Sequence, residues 1–235
     1  MSGKAKLFCI PYAGGTADFF DSLIGSLAEE MEGFSTDFPG HGKRLKEPFC
    51  TTWDELLQDV ADHINNRLEP GDPYVLLGYS MGSILAYDLL SENMLKTRPC
   101  HVFFASHAAP HIEWPSKQYY QLDDEALLEV LRPKGGFDKV NAELLKNRLF
   151  RRMFFLPMRA DYDLIGQYQM KRDCRIDLPA TVLYAGQDVP PEEAHTWERF
   201  LRPDTGWYDF SGKHFFLREH TEEVADLIKR SIIKE

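Results

Sequence analysis

Residues 74–87 read YVLLGYSMGSILAY, and this stretch decides the fold. An apolar run at 74–77 is followed by GYSMG at 78–82 and then by a segment compatible with a helix. A strand, a sharp turn and a helix in this order predict a nucleophile elbow, in which a strained Ser80 projects its hydroxyl above the sheet. The two glycines leave room where a Cβ would collide with the neighbouring strand and helix. Because an ordinary turn with an exposed serine can have the same letters, the prediction depends on partners elsewhere in the chain.

A serine hydroxyl is a weak nucleophile at neutral pH and needs a histidine base that is oriented by a carboxylate. In enzymes with such an elbow, the acid and then the histidine follow the serine along the chain. Asp188 comes after a predicted buried strand at 180–185, although aspartate in this place is also a common turn former. His214 lies in a glycine-containing loop before the last predicted helix, whereas its nearest rival, His220, precedes an acidic helix start and is expected to be solvated. We therefore predict Ser80, Asp188 and His214 as the catalytic residues.

An oxyanion hole needs two backbone N–H groups near the serine. One is predicted to be the amide of Met81, the residue after the nucleophile, and the other should lie in the loop after the first core strand. That strand is predicted at 6–10, and its loop reads PYAGG at 11–15. Paired glycines let the backbone approach a substrate oxygen, although a plain Gly-Gly turn would have the same letters. We expect the Ala13 amide to be the second donor.

Strands and helices are predicted to alternate along most of the chain. Apolar side chains at helical spacing follow Thr52, which forms a predicted capping box with Glu55. A further amphipathic helix is expected to start near Thr221. Such alternation predicts an α/β fold with a mostly parallel central sheet and helices on both faces. The six strands are predicted at 6–10, 34–38, 74–79, 101–106, 180–185 and 207–210.

The alternation breaks between His107 and Pro179, where the sequence has helical patterns but no convincing strand. We expect an insertion at about 112–175 that lies above the elbow as a lid, with one of its helices running from Ala142 to Phe155. Its large apolar residues either line an acyl tunnel or only pack the lid on the core. At 235 residues, the chain is predicted to be a single domain, 1–235, that contains this lid.

Taken together, these segments resemble the type II thioesterases, which are stand-alone editing hydrolases of nonribosomal peptide and polyketide assembly lines and belong to the α/β-hydrolase superfamily. The elbow is common to the superfamily, whereas the other motifs in this order are more specific. The sequence departs from the usual pattern at Val189, where a second acidic residue is frequent, and at Ser83, where glycine is frequent. The motifs are PYAGG at 11–15, FPGHG at 38–42, GYSMG at 78–82, RADY at 159–162, GQD at 186–188 and GKHFFL at 212–217.

The resemblance implies that the substrate is an acyl thioester on the phosphopantetheine arm of a carrier protein. It implies no cofactor of the enzyme's own, since the substrate carries the phosphopantetheine, and no metal. The acyl or peptidyl carrier protein would be met in trans, because the chain has no second domain's worth of residues. Two alternatives share the sequence features: a general carboxylesterase or lipase of the same fold, and a non-catalytic hydrolase-fold module that binds an acyl chain or a partner.

Composition limits the setting in which the protein works. The net charge of −10 argues against nucleic acid as a partner, and no apolar run approaches the roughly 20 residues that span a bilayer. The four cysteines have neither C-x-x-C spacing nor a pairing pattern with histidine. Because the start has no signal-peptide pattern, we expect a cytoplasmic protein that does not associate with membranes. We also expect a monomer.

The charge is unevenly distributed along the chain. Residues 132–175 contain eleven Lys or Arg and five Asp or Glu, so this segment is cationic on an anionic protein. Such a segment can steer an anionic partner to one face, although a solvated helix surface has the same composition. We expect a carrier protein to dock at arginines of the lid, namely Arg148, Arg151, Arg152 or Arg159.

Overall fold

The computed structural model describes residues 4–232, without the side chain of Ala142. Six strands form one sheet in the order β2-β1-β3-β4-β5-β6, and every neighbouring pair is parallel. This confirms the predicted α/β fold with a parallel central sheet. The strands are β1 Ala5–Ile10, β2 Met31–Ser35, β3 Tyr74–Tyr79, β4 His101–Ala105, β5 Ala180–Tyr184 and β6 Gly206–Asp209.

Helices connect the strands and cover both faces of the sheet. The capping box at the start of the second helix forms as predicted: Glu55 N–H donates to Thr52 Oγ1 at 3.2 Å, and Glu55 Oε2 accepts from Thr52 N–H at 3.3 Å. The helices are α1 Asp21–Ser26, α2 Trp53–Asn65, α3 Met81–Ser91, α4 Asp124–Leu131, α5 Ala142–Lys146, α6 Arg148–Gln167, α7 Pro191–Ala194 and α8 Thr221–Ile232.

The strand order places the site. After β1 the chain adds β2 on one side, and after β3 it adds β4 on the other side. The two connections diverge, so a crevice forms above the carboxyl ends of β1 and β3, where ligands bind in open parallel sheets. The loop after β1 and the elbow after β3 both open into this crevice.

The sheet buries side chains in alternation, because successive residues of a strand point to opposite faces. In β1, Leu7 and Cys9 pack with α1 and α8, whereas Phe8 and Ile10 pack with α2 and α3. All four side chains are at most 2% exposed. Burying an apolar side chain of this size contributes on the order of 1.5–3 kcal/mol, so both layers stabilise the sheet.

One strand lies earlier in the chain than predicted. We predicted a strand at 34–38, but β2 is Met31–Ser35 and pairs Phe34 with Phe8 of β1. The buried apolar Phe38 suggested a later strand, yet it follows Asp37, whose carboxylate accepts backbone N–H groups from the loops at Ala17 and Lys43. The chain therefore leaves the sheet before Phe38, and the prediction of this strand's bounds was wrong.

The segment between β4 and β5 contains α4, α5 and α6, and its residues form no strand in the part of the chain that the structure describes. The predicted helix from Ala142 to Phe155 is interrupted at Asn147. This residue is extended, and its side chain accepts hydrogen bonds from Leu149 N–H and Phe150 N–H at 2.9 and 3.0 Å. Asn147 is the N-cap of α6, so the two helices α5 and α6 take the place of the single predicted helix.

None of the helices within residues 4–232 has both the length and the apolar character that crossing a membrane requires.

A buried carboxyl group lies behind the sheet, away from the crevice. Asp88 in α3 is 2% exposed and accepts hydrogen bonds from Trp53 Nε1 at 2.8 Å and from the Tyr168 hydroxyl at 3.3 Å. Burial, together with the nearby charge of Glu92, raises the pKa of Asp88 to about 7, although the Trp53 hydrogen bond opposes this shift. The folded protein therefore binds a proton that the unfolded chain releases near pH 4.

This proton makes stability depend on pH. Between about pH 4 and pH 7 the folded state binds more protons than the unfolded state at Asp88, so the free energy of unfolding falls as pH rises. Asp88→Asn removes this term, and we expect its stability relative to wild type to improve by about 2 kcal/mol from pH 5 to pH 8. Urea unfolding at both pH values measures this. Asp62→Asn, an exposed change on α2, is the control, and an Asp88→Asn effect independent of pH would contradict the prediction.

Candidate active site

Ser80 occupies the turn between β3 and α3 in a backbone conformation that residues with a side chain rarely adopt, with φ 54° and ψ −116°. Its N–H donates to the carbonyl of Ala105, the last residue of β4, at 2.7 Å. A Cβ at Gly78 would lie 2.2 Å from the carbonyl oxygen of Gly82, and one at Gly82 would lie 2.2 Å from that of Ile10. The two glycines are therefore required by close packing, as the sequence predicted.

His214 and Asp188 meet at the same end of the sheet. His214 Nδ1 lies 2.6 Å from Asp188 Oδ2, and both residues line one cavity with Ser80. Because a carboxylate oxygen only accepts, Nδ1 carries the hydrogen and Nε2 is the basic nitrogen. No hydrogen bond joins Ser80 Oγ to Nε2 within residues 4–232, and in enzymes without bound substrate this contact is often long.

Three residues that the sequence did not single out hold this pair. The Ser106 hydroxyl lies 3.2 Å from Asp188 Oδ2 and 3.0 Å from the carbonyl oxygen of His214. Tyr79, directly before the nucleophile, donates its buried hydroxyl to the same carbonyl at 2.6 Å. The Lys134 ammonium lies 2.8 Å from Asp188 Oδ1. A lysine in the lid gives no local signal of such a contact, because 54 residues separate it from Asp188.

These contacts keep Asp188 charged. Burial by itself would raise the pKa of this carboxyl group, whose side chain is 1% exposed. The hydrogen bond and charge of His214, together with the charge of Lys134, outweigh burial and hold the pKa of Asp188 well below its usual value. A carboxylate that stays ionised can orient the imidazole and stabilise the imidazolium.

Two amides of the loop after β1 are hydrogen-bonded within the protein. Gly15 N–H donates to the carbonyl of Tyr12 at 2.8 Å, and Gly14 N–H donates to Asp161 Oδ2 at 2.7 Å. In the part of the chain that the structure describes, neither Ala13 N–H nor Met81 N–H has a hydrogen-bond partner. These are the two amides that the sequence predicted as oxyanion donors.

The cavity above these groups has a volume of about 380 Å³. The core forms the polar end of this cavity, and the lid forms most of the cavity's apolar walls. The larger apolar side chains of the cavity include Tyr12, Val189 and Phe215 outside the lid and, within it, Ile112, Trp114, Tyr119, Leu131, Phe137, Met158, Tyr162 and Ile165.

His220 is not the solvated residue that the sequence suggested, and that prediction was wrong. Its side chain is 16% exposed, with Nδ1 2.7 Å from Glu223 Oε1 and Nε2 2.9 Å from the Ser211 hydroxyl. Nδ1 thus binds a residue of the first turn of α8, and Nε2 binds the loop after β6. Of His214 and His220, only His214 lines the cavity.

The four lid arginines differ in their surroundings. Arg151 and Arg159 both bind the carboxylate of Asp124 at the start of α4, so they join α4 to α6. Arg148 and Arg152 are exposed and form no ion pair within residues 4–232. Of the predicted docking residues, only these two have an uncommitted guanidinium group.

No three His, Cys, Asp or Glu side chains among residues 4–232 are grouped closely enough to hold a metal ion. The absence of a metal or cofactor in the reaction stays a prediction.

The parallel sheet, the elbow and the position of the site define an α/β-hydrolase. The thioesterase domain family matches residues 5–232, so the chain belongs to the thioesterases, which are hydrolases of thioesters. The gramicidin S biosynthesis protein GrsT of Aneurinibacillus migulanus is 29% identical over 238 residues, covering 98% of this chain and 90% of GrsT.

Two further comparisons agree with the family. The medium-chain S-acyl fatty acid synthase thioesterase of Anas platyrhynchos is 26% identical over 227 residues, covering 93% of this chain and 88% of that protein. The solved structure of RedJ, a thioesterase from the prodiginine biosynthetic pathway in Streptomyces coelicolor, superposes with a TM-score of 0.83 at 30% identity. The superposition covers 97% of this chain and 85% of the RedJ chain. The membership of the thioesterases that the sequence resemblance implied is confirmed.

The contact between Lys134 and Asp188 generates a prediction about pH. Replacing Lys134 with Met removes a positive charge beside the acid–histidine pair, which favours the protonated, inactive form of the base. We expect the acid limb of the pH profile of kcat/KM to move to higher pH by roughly 0.5 to 1 unit. Hydrolysis of a small acyl-pantetheine thioester between pH 5 and pH 9 measures this. Lys139→Met, an exposed change in the same segment, is the control and should leave the profile unchanged. If the acid limb of Lys134→Met is the same as that of Lys139→Met, the prediction is refuted.

Proposed function

We propose that this thioesterase uses Ser80, His214 and Asp188 to hydrolyse acyl groups from the phosphopantetheine arm of carrier proteins in nonribosomal peptide or polyketide synthesis. The observation that carries the proposal is the 2.6 Å contact between His214 and Asp188 in the cavity that also contains Ser80. The relatives in antibiotic biosynthesis support the choice of pathway class, and the family supports a thioester over an oxygen ester.

In the first step, Ser80 Oγ attacks the thioester carbonyl while His214 Nε2 takes the hydroxyl proton. Asp188 holds the imidazole by its Nδ1–H and stabilises its positive charge. The tetrahedral oxyanion binds the Ala13 and Met81 amides, and losing one such donor typically costs ~10²–10³ in rate. The carbon–sulfur bond then breaks, His214 gives its proton to the leaving thiolate, and an acyl ester of Ser80 remains.

Water completes the reaction. The oxygen of the water molecule attacks the ester carbonyl while His214 takes a proton from the water. The same two amides bind the second oxyanion. The bond to Ser80 Oγ breaks, Oγ recovers the proton from His214, and the free acid leaves. The net reaction converts a thioester and water into an acid and a thiol. The apolar walls contributed by the lid would bind the acyl group during both steps.

The catalytic assignment is tested by single substitutions. Ser80→Ala and His214→Ala should each lower kcat for an acyl-pantetheine thioester to well below a hundredth of wild type, because triad residues act as a unit. Asp188→Asn should have a comparable or somewhat smaller effect. Steady-state release of free thiol measures turnover, and circular dichroism checks the fold.

His220→Ala is the matched control, since it removes a histidine of the same loop region that lies outside the cavity. Its kcat should stay within a few-fold of wild type. Turnover by Ser80→Ala above a hundredth of wild type, or inactivation by His220→Ala with an active His214→Ala, would overturn the assignment. Labelling of wild type but not Ser80→Ala by a fluorophosphonate separates the enzyme from a non-catalytic binding module.

A carrier protein needs a surface on which to dock, and α6 offers one. Leu149, Met153 and Leu156 are 62%, 53% and 48% exposed and lie on one face of the helix at spacings of four and three residues. Arg148 and Arg152 form the adjacent row. Because type II thioesterases meet carriers that are commonly acidic around the pantetheine serine, an apolar stripe beside two free guanidinium groups fits an acidic amphipathic helix.

The docking proposal is tested by reversing charge on this face. Arg148→Glu together with Arg152→Glu should raise KM for an acyl-carrier substrate several-fold at low salt, with a smaller effect at high salt, because exposed charges act on association and are screened. Hydrolysis of a small pantetheine thioester should stay nearly unchanged. Arg151 is left intact, since reversing it would repel Asp124 within the lid.

Arg230→Glu provides the control, because it reverses an exposed arginine on α8, outside the lid. Equal effects of the double variant on both substrates, or an effect on the carrier substrate that does not depend on salt, would mean that these arginines are only a solvated helix face.

A further inference from the structure

A buried polar cluster connects the lid to the oxyanion loop. Asp161 of α6 is 2% exposed, and its Oδ2 atom lies 2.7 Å from Gly14 N and 3.1 Å from His41 Nε2. His41 is 1% exposed, and its Nδ1 lies 3.0 Å from the carbonyl oxygen of Pro39. One carboxylate oxygen thus binds the loop after β1 and the loop after β2, which are 147 and 120 residues away from it in the chain.

The contacts of His41 favour its charged form. A carbonyl oxygen only accepts, so Nδ1 carries a hydrogen, and Nε2 faces a carboxylate that also accepts. Burial lowers the pKa of His41, but the charge and hydrogen bond of Asp161, the Pro39 carbonyl and the charge of Asp37 together raise it. The titratable groups around the imidazole and its partner include Asp37, the half-buried thiol of Cys50 and the hydroxyl of Tyr162. The geometry and the direction of this shift together favour a buried pair of imidazolium and carboxylate.

This ion pair acts on the geometry of the oxyanion loop. Gly14 has a φ of +74°, and its N–H is held by Asp161. The lid also packs closely against this residue, since a Cβ at Gly14 would lie 3.0 Å from Met158 Cβ. Ala13 lies between Tyr12, whose carbonyl binds Gly15 N–H, and Gly14, which is held from the lid, so the peptide that carries Ala13 N–H has little freedom.

We propose that Asp161 and His41 are positioning residues that hold the oxyanion loop against the seated lid, so that Ala13 N–H is placed where the oxyanion forms. Neither residue lines the cavity, so neither touches the reacting atoms. The proposal rests on the proposed function, because it concerns the same oxyanion hole. It makes the lid a part of the catalytic geometry as well as a wall of the acyl site.

The test compares two ligands that differ in whether they form an oxyanion. Ser80 adds reversibly to the carbonyl of an alkylthio trifluoromethyl ketone, its proton passes to His214, and the resulting oxyanion needs the hole. An S-alkyl pantetheine thioether has no carbonyl beside its sulfur, so it forms no oxyanion and needs only the acyl site. We expect Asp161→Asn to weaken the ketone about tenfold or more and to lower kcat by a similar factor. Affinity for the thioether and KM should stay within about threefold.

Asp163→Asn is the matched control, because it makes the same chemical change two residues later on α6, where the carboxylate binds only Gln167 among the described residues. It should leave both affinities unchanged. If Asp161→Asn does not fold, the double variant His41→Leu with Asp161→Leu gives the same comparison, since it removes both hydrogen bonds without leaving a buried charge unpaired.

An unchanged kcat in a folded Asp161→Asn or double variant would overturn the proposal, and so would equal loss of affinity for the ketone and the thioether. These outcomes are separate from failure of the proposed function. An active Ser80→Ala refutes the catalytic assignment, whereas an inactive Ser80→Ala with a fully active Asp161→Asn refutes only the positioning role.

Discussion

The first turn of α3 and the end of β1 touch at a point where no side chain fits. A Cβ at Gly82 would lie 2.2 Å from the carbonyl oxygen of Ile10, and one at Gly78 would collide with the same helical turn. This close approach brings the elbow beside the loop that follows β1. Ser80 and Ala13 line the same cavity for that reason, so the rest of the site depends on this contact.

Asp188 organises the other half of the site. It joins residues from four parts of the chain: His214 before α8, Ser106 after β4, Lys134 in the lid, and its own loop after β5. A buried carboxylate needs such partners, because an unpaired charge in a low-dielectric interior is costly. The charge that orients His214 is thus stabilised partly by the lid.

The lid is therefore more than a cover for the acyl group. Its inner side contributes apolar walls, the Lys134 contact with Asp188 and the Asp161 contact with Gly14. Its outer side exposes an apolar stripe next to Arg148 and Arg152. If a partner docks on the outer side of α6 as proposed, it contacts the same helix whose Asp161 binds the loop after β1.

The sequence by itself determined the features that depend on local order. The apolar runs, the capping box at Thr52, the glycines of the elbow and the order of Ser80, Asp188 and His214 are readable because each needs only neighbouring residues or chain order. The helix start at Asn147 also depends on a local cap, although the pattern of 142–155 predicted one helix. The tertiary structure decided where β2 ends and how Lys134, Asp161 and His41 meet their partners. The contacts of these three side chains join residues more than fifty positions apart, and only the packing of the lid on the sheet brings such side chains within hydrogen-bond distance.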